Sequence, residues 1–377
     1  MKRIIGILIG LSLCVGSLLA AYGFGSGMQH APEQNQFGGY GEIRSAGNLS
    51  QQYFCDDTTF YYPAVVASWG HVCTTMFACD LASGKCSSIC KRISCTHRTA
   101  DCPLHPLYQG PSSQESGYWN LIDNHFIAPK LTKDKFLITG WNAFTDKSEI
   151  IAELPRFNQV SDSAGLSGKY ESFFNDAMRV TEDLLLIGYN NQMHIYDNTY
   201  RELYRFPCSG LLYPLVTGNR LFWLGMSNEL NSIRLDTGEL EYDLLKGVFS
   251  PERSDTILDS SGNFCAFSYE NEIYFPHDCM IYAFDAEQHS VREIAQFDAL
   301  TEDEPYACFG NENQMYYKCD GVVRCMNLEK GTVTSLPDLP KVPCAAAGNY
   351  LLFVRSNCTG EDADIACYDK DGKPVDP

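Results

Sequence analysis

The feature that most constrains the fold of this chain is a strand-rich unit that recurs seven times. Each unit has an aromatic or aliphatic run, a short turn, and a second strand-like run that ends in Asp or Asn. The first runs are centred on Tyr61, Ile127, Leu186, Phe222, Tyr274, Tyr316 and Leu352, and the tag residues at the ends of the second runs are Asp80, Asp146, Asp197, Asp236, Asp285, Asn327 and Asp369. In the third, fifth and sixth units the run centre and the tag residue are 11 residues apart. A repeat of roughly 40–50 residues built only from short strands predicts an all-β fold, a β-propeller with seven blades.

The sixth unit shows the pattern most fully. Residues 314–318 alternate between polar and apolar side chains, Asp320-Gly321 is a strong hairpin turn, and residues 322–326 return. Residues 332–336 then predict an outer strand. An Asp or Asn at a strand end can accept hydrogen bonds from the backbone of its own turn. We therefore interpret the tag residues as structural and not as catalytic carboxylates. Trp141 and Trp223 lie in strand patterns and are predicted to be core residues.

The N-terminus predicts export. Lys2 and Arg3 precede an uncharged apolar run, and Ala21 and Gly23 are the small residues that a signal peptidase requires. Residues 1–23 are therefore predicted to be a signal peptide or, if uncleaved, an N-terminal anchor, because 18 apolar residues can just span a bilayer. Residues 24–40 are predicted to be a flexible leader, and residues 41–377 the propeller.

The net charge and the cysteine content limit the kinds of partner and of site that we expect. The net charge is −19, which argues against nucleic acid, whose phosphates require a positive surface. It also argues against an anionic membrane surface, so the membrane would be reached only through an uncleaved N-terminus. The chain has 17 cysteines, and in an exported protein this number favours disulfides or metal ligation over free thiols.

A Cys/His-rich insertion, residues 86–117, follows the first unit. Within it, Cys90, Cys95, His97 and Cys102 place three thiols and an imidazole within 13 residues. Three cysteines and one histidine are a known ligand set for structural zinc, although the usual C-x2-C spacing is absent. The alternatives are disulfides, a structural zinc site and unpaired thiols. Four protein ligands would leave zinc no open position, so its role would be structural.

The same segment carries a resemblance. Cys79-Asp80-Leu81-Ala82-Ser83-Gly84-Lys85, followed by Cys90, Cys95-Thr96-His97 and Cys102-Pro103, resembles a pattern in exported propeller-like proteins of gut-dwelling Gram-positive bacteria. The resemblance covers about 30 residues of motif. It implies a propeller fold and an extracellular location but no activity. The chain departs from the pattern at Cys79, where an aromatic residue is usual.

The last unit predicts how the ring closes. After the turn at residues 369–372 only five residues remain, and two of them are prolines. Proline has no backbone N–H group to donate to a neighbouring strand. We therefore expect the last blade to lack an outer strand, and residues 42–45 to supply it.

The sequence supports three functional hypotheses and assigns no catalytic residue. The first is an extracellular or cell-surface binding module whose partner is a protein, a peptide or a glycan. The second is a glycan-active hydrolase or lyase with acids from different blades, and the third is a membrane-tethered sensor or accessory subunit. No phosphate loop, nucleophile elbow or H-E-x-x-H motif is present in the sequence.

Overall fold

A computed structural model describes the following ranges of the chain: residues 44–45, 53–56, 58–68, 71–90, 120–122, 125–131, 135–142, 144–145, 147–155, 176–181, 183–189, 192–208, 212–225, 229–248, 266–301, 306–347, 349–354 and 365–375. Within these ranges every regular element is a β-strand, and the strands form seven antiparallel sheets. The predicted all-β, seven-bladed propeller is confirmed. The same ranges contain no helix with the length and hydropathy that a membrane crossing requires. We call each sheet a blade and number the blades along the chain.

In the first four blades, hydrophobic strands alternate with short turns, as the repeat predicts. Blade 1 contains β1 (Arg44–Ser45), β2 (Phe54–Cys55), β3 (Thr59–Ser68), β4 (His71–Asp80) and β5 (Cys86–Ser88). Blade 2 contains β6 (Asn120–Ile122), β7 (His125–Leu131), β8 (Lys135–Asn142) and β9 (Lys147–Pro155). Blade 3 contains β10 (Asp176–Thr181), β11 (Leu184–Tyr189), β12 (Gln192–Tyr196) and β13 (Glu202–Pro207). Blade 4 contains β14 (Leu212–Thr217), β15 (Arg220–Leu224), β16 (Leu230–Arg234) and β17 (Leu240–Glu241).

The remaining three blades follow the same order, with each strand paired to the next. Blade 5 contains β18 (Phe267–Tyr269), β19 (Glu272–His277), β20 (Met280–Asp285) and β21 (Ser290–Gln296). Blade 6 contains β22 (Cys308–Asn311), β23 (Gln314–Cys319), β24 (Val322–Asn327) and β25 (Thr332–Leu336). Blade 7 contains β26 (Ala345–Ala347), β27 (Tyr350–Val354), β28 (Ile365–Asp369) and β29 (Pro374–Val375). Blade 1 has one additional inner strand, β1, and we count its four repeat strands from β2. With this count, all seven predicted run centres lie on the second strand of their blade.

The core is divided into seven clusters, and each cluster lies between two neighbouring blades. Trp223, for example, is buried between blades 3 and 4, and Trp141 is buried between blades 1 and 2. Both tryptophans are core residues, as predicted. The innermost strands approach each other closely: a Cβ added to Gly310 on β22 would clash with the ring of Phe267 on β18. Burial of apolar side chains between blades is therefore what assembles the ring.

The turns before the outermost strands of six blades show a capping role for the residue at the strand end. In blade 4 the Asp236 carboxylate instead pairs with Arg234, and the Glu239 N–H donates to the Thr237 hydroxyl at 3.3 Å. In blade 1 the Asp80 carboxylate accepts hydrogen bonds from the N–H groups of Ala82 (3.1 Å) and Ser83 (2.8 Å). The same kind of bond is made by Asp197, Asp285, Asn327 and Asp369. In blade 2 the residue with this role is Asn142, whose side-chain oxygen accepts from Phe144 and Thr145. The tag predicted there, at position 146, lies outside the described residues.

The ring does not close as the sequence predicted. β1, which covers part of the segment 42–45, pairs with β2 on the inner side of blade 1 and not with blade 7. Blade 7 has its own outer strand, because β29 pairs with β28 in spite of Pro374. A proline at the edge of a sheet is tolerated because its missing N–H is not needed by a further strand.

Closure is achieved instead by packing between blades 1 and 7. One cluster contains Phe60, Tyr62 and Cys79 of blade 1 together with Leu352 and Cys367 of blade 7. The Cys55 thiol also donates to the Ala346 carbonyl across this interface, at 3.9 Å. No strand is shared between the two blades among the described residues.

Candidate interaction face

The antiparallel order gives the ring two different faces. Three features of each blade lie at the same edge: the start of the first strand, the turn between the second and third strands, and the end of the fourth strand. The first-to-second and third-to-fourth turns lie at the other edge, because successive strands reverse direction. Connections between blades therefore join strand ends on a single face. We call this face the long-connection face and the opposite one the short-turn face.

The lengths of the connections differ sharply between the faces. On the short-turn face every turn between strands has five residues or fewer. On the long-connection face, strand ends are joined by the segments 89–119, 156–175, 242–266, 297–307, 337–344 and 355–364. Loops carried on a rigid scaffold are the usual place for recognition residues, because they vary without disturbing the packed core. The long-connection face is therefore the candidate functional site.

The short-turn face is held by local and inter-blade charge contacts. Arg220, which is buried, forms ion pairs with Glu241 of its own blade and with Glu287 of blade 5. Arg234 of blade 4 also contacts Glu287, at 3.4 Å. Both guanidinium groups are paired with carboxylates, so their role is to connect blades 4 and 5.

The described part of the long-connection face contains a tethered connection between blades 5 and 6. Asp298 accepts hydrogen bonds from the N–H groups of Asp320 (2.9 Å) and Gly321 (2.8 Å). Both turn residues have positive φ angles, 55° and 76°, as expected for the tight hairpin predicted there. Asp298 thus fixes the first part of the connection 297–307 onto the neighbouring turn.

Apolar and acidic groups occur together in the connections of this face. Tyr242 and Val248, which follow β17, are 58% and 39% exposed. The connection 297–307 contains Glu302-Asp303-Glu304, and the segment 355–364 contains Glu361, Asp362 and Asp364. These six acids lie outside the described residues, although the strand ends that flank them belong to this face. An exposed aromatic side chain such as Tyr242 suits ligands that offer apolar surface.

The predicted metal or disulfide cluster is described at one residue only. Cys86–Ser88 forms the outermost strand of blade 1, so the connection begins at residue 89 and not at 86. Cys90 follows this strand, is 7% exposed, and packs in the cluster between blades 1 and 2. Its N–H donates to the Ser88 hydroxyl at 3.3 Å. Cys95, His97 and Cys102 lie outside the described residues, so the zinc and disulfide alternatives stay predictions.

The histidines give no catalytic pair within the described ranges. His125, His194, His277 and His289 each lie near a separate carboxylate, at 2.8–3.8 Å. Burial lowers the pKa of His194, which is stacked on Tyr196. The described residues contain no group of three or more His, Cys, Asp or Glu side chains arranged to hold a metal ion.

The sequence analysis identified one long connection, the insertion after the first unit, and left the other long connections unassigned. The spacing of the units is the signal that could have revealed them. Gaps between successive tag residues vary from 39 to 66, and the distance from run centre to tag residue varies from 11 to 19. The additional length therefore falls both between units and within some units, as at the segment 355–364 of blade 7.

The comparisons with known proteins assign neither a family nor a function to the chain. No family model matches the chain, and no curated protein shows significant similarity to it. BamB from Moraxella catarrhalis is 12% identical over 84% of this chain and 80% of its own, with a TM-score of 0.37. The computationally designed Ika8 protein is 12% identical over 83% of this chain and 86% of its own, with a TM-score of 0.39. The extracellular domain of a one component system from B. thetaiotaomicron is 9% identical over 89% of this chain and 42% of its own, with a TM-score of 0.44.

Proposed function

We propose that this protein is a binding or interaction module that works outside the cell, secreted or at the cell surface, and that its long-connection face recognises a protein, peptide or glycan. The observation that supports this most is the placement of every connection longer than five residues on one face. A scaffold of uniform blades with variable connections on one side is suited to recognition. The apolar N-terminal run supports export.

The charge of the chain indicates what kind of partner fits. The six acids in the connections 297–307 and 355–364 favour a partner with cationic or hydrogen-bond-donating groups. A basic peptide segment and a glycan with exposed hydroxyl groups both satisfy this. Nucleic acid is disfavoured, because a net charge of −19 repels phosphates.

Binding to peptide and glycan arrays tests the proposal. The triple variant Glu302→Gln, Asp303→Asn, Glu304→Gln removes three charges from the long-connection face. A matched control, Glu239→Gln, Glu329→Gln, Asp371→Asn, removes three from exposed positions in turns of the short-turn face. We expect the first variant to lose about tenfold or more in affinity for the array ligand, and the control to bind like the unchanged chain.

Equal affinity of the two variants, or a loss confined to the control, would show that the long-connection face is not the binding face. Turnover of a bound glycan would favour the hydrolase or lyase alternative instead.

A further inference from the structure

Two cysteines of blade 1 face each other across neighbouring strands. Cys79 on β4 and Cys86 on β5 are direct partners in the antiparallel register. One step along the ladder, the Asp80 N–H donates to the Lys85 carbonyl at 3.1 Å. Because hydrogen-bonded and non-hydrogen-bonded pairs alternate, the two cysteines form a non-hydrogen-bonded pair, whose Cα atoms are about 4.5 Å apart. Disulfides join Cα atoms about 4.4–6.8 Å apart, so the two sulfurs can bond without moving the backbone.

The surroundings make the two thiols unequal. Cys79 is 2% exposed and lies in the cluster that closes the ring, whereas Cys86 is half-buried at the edge of the same cluster. The Cys79 thiol donates to the Asp80 carbonyl at 3.8 Å, and the Cys86 thiol donates to the Gly84 carbonyl at 3.7 Å. The neighbouring Cys79 thiol and the Tyr62 hydroxyl hold the pKa of Cys86 below its ordinary value, while the proximity of Cys86 and burial raise the pKa of Cys79. Cys86 is therefore the more nucleophilic and the more accessible of the pair.

We propose that Cys79 and Cys86 form a dithiol–disulfide couple that exchanges with small disulfides such as glutathione disulfide. Cys86 thiolate attacks one sulfur of the small disulfide, forms a mixed disulfide and releases one thiolate. The proton of Cys79 passes to this leaving thiolate. The Cys79 sulfur then attacks the Cys86 sulfur and releases the second small thiolate, which takes a proton from water. Two electrons move from the protein to the small disulfide, and the products are one protein disulfide and two small thiols.

The location gives the couple a structural consequence. β5 has only three residues and leads directly into the connection 89–119. A bond between Cys79 and Cys86 joins β5 covalently to β4, and so fixes the point where this connection leaves the blade. Cys367 of blade 7 belongs to the same cluster, but burial raises its pKa, so it is a poor attacking thiol.

Mass spectrometry of the full chain tests the pairing. The reduced chain is incubated with excess glutathione disulfide, blocked with N-ethylmaleimide, digested and sequenced by tandem fragmentation. We expect a Cys79–Cys86 link in the unchanged chain and in Cys367→Ser, and none in Cys86→Ser. A Cys86–Cys367 link, or Cys79 and Cys86 both blocked after oxidation has reached equilibrium, would overturn the proposal.

The reactivity of Cys86 is measured on the unchanged chain and does not depend on any variant folding. Cys319 serves as an internal reference, because it is also half-buried and its pKa is raised by burial. With limiting iodoacetamide at pH 7, we expect Cys86 to be labelled about tenfold faster than Cys319. Its rate should also reach half of its maximum at a lower pH. Labelling of Cys319 at the same rate or faster contradicts the assignment of Cys86 as the attacking thiolate.

Discussion

At the scale of single residues, one feature recurs in six of the seven blades: a side-chain oxygen at the end of the strand next to the outermost one accepts hydrogen bonds from the backbone of the following turn. Asp80 accepts three hydrogen bonds in this way, from the N–H groups of Ala82 and Ser83 and from the Ser83 hydroxyl. Asn142 and Asn327 have the same role, so the oxygen matters more than the charge. This explains why the repeat accepts either residue at the tag position.

The capping role of Asp80 predicts that replacing it with Ala and replacing it with Asn have different effects on stability. Asp80→Ala removes the acceptor for three donors, and we expect it to lower the free energy of unfolding by about 1–2 kcal/mol. Asp80→Asn keeps the acceptor and should change it by less than about 0.5 kcal/mol. Urea denaturation followed by tryptophan fluorescence measures both. If the two variants are equally destabilised, the carboxylate charge and not the acceptor oxygen is what the turn requires.

At the scale of elements, each blade is stable through its neighbours, because a four-stranded sheet presents an apolar side to the sheet on either side. Trp223 illustrates this: it is 2% exposed, and its ring centroid is 5.3 Å from that of Phe206 across the interface of blades 3 and 4. We expect Trp223→Ala to cost about 3–5 kcal/mol, because a large cavity opens between two blades. Val333→Ala, on an exposed outer strand, should change the free energy of unfolding by less than about 0.5 kcal/mol. Chemical denaturation compares the two, and a small effect at Trp223 would show that the blades do not depend on this interface.

At the scale of the whole molecule, the ring closes by packing between blades 1 and 7 rather than by a shared strand. Leu352 in this closing interface and Leu186 in the interface of blades 3 and 4 are both fully buried and occupy the same position of the repeat. If the closing interface is equivalent to the others, Leu352→Ala and Leu186→Ala should each cost about 2–5 kcal/mol. Each variant should also still unfold in one transition.

Hydrogen exchange checks this equivalence. A closing interface that is weaker than the rest would give Leu352→Ala rapid exchange in blades 1 and 7, with the other blades protected. That pattern would show that the ring opens at its ends, and the two leucine variants would then differ in their denaturation curves as well.

The repeat, the seven blades and the caps were predictable from the sequence, because a strand pattern and an Asx turn are determined by residues within about ten positions of each other. In the second unit the cap at Asn142 was not predicted, since the sequence offers both Asn142 and Asp146 as ends for the same strand, and Asp146 lies outside the described residues. Ring closure could not be predicted: it depends on contacts such as Cys55 with Ala346, whose sequence separation is 291. The environment of Cys79 and Cys86 could not be predicted either. Both cysteines are evident in the sequence, but the cluster around them includes Cys367 of the last blade. Local patterns specify each blade, but only the closed ring decides which side chains of the first and last blades meet.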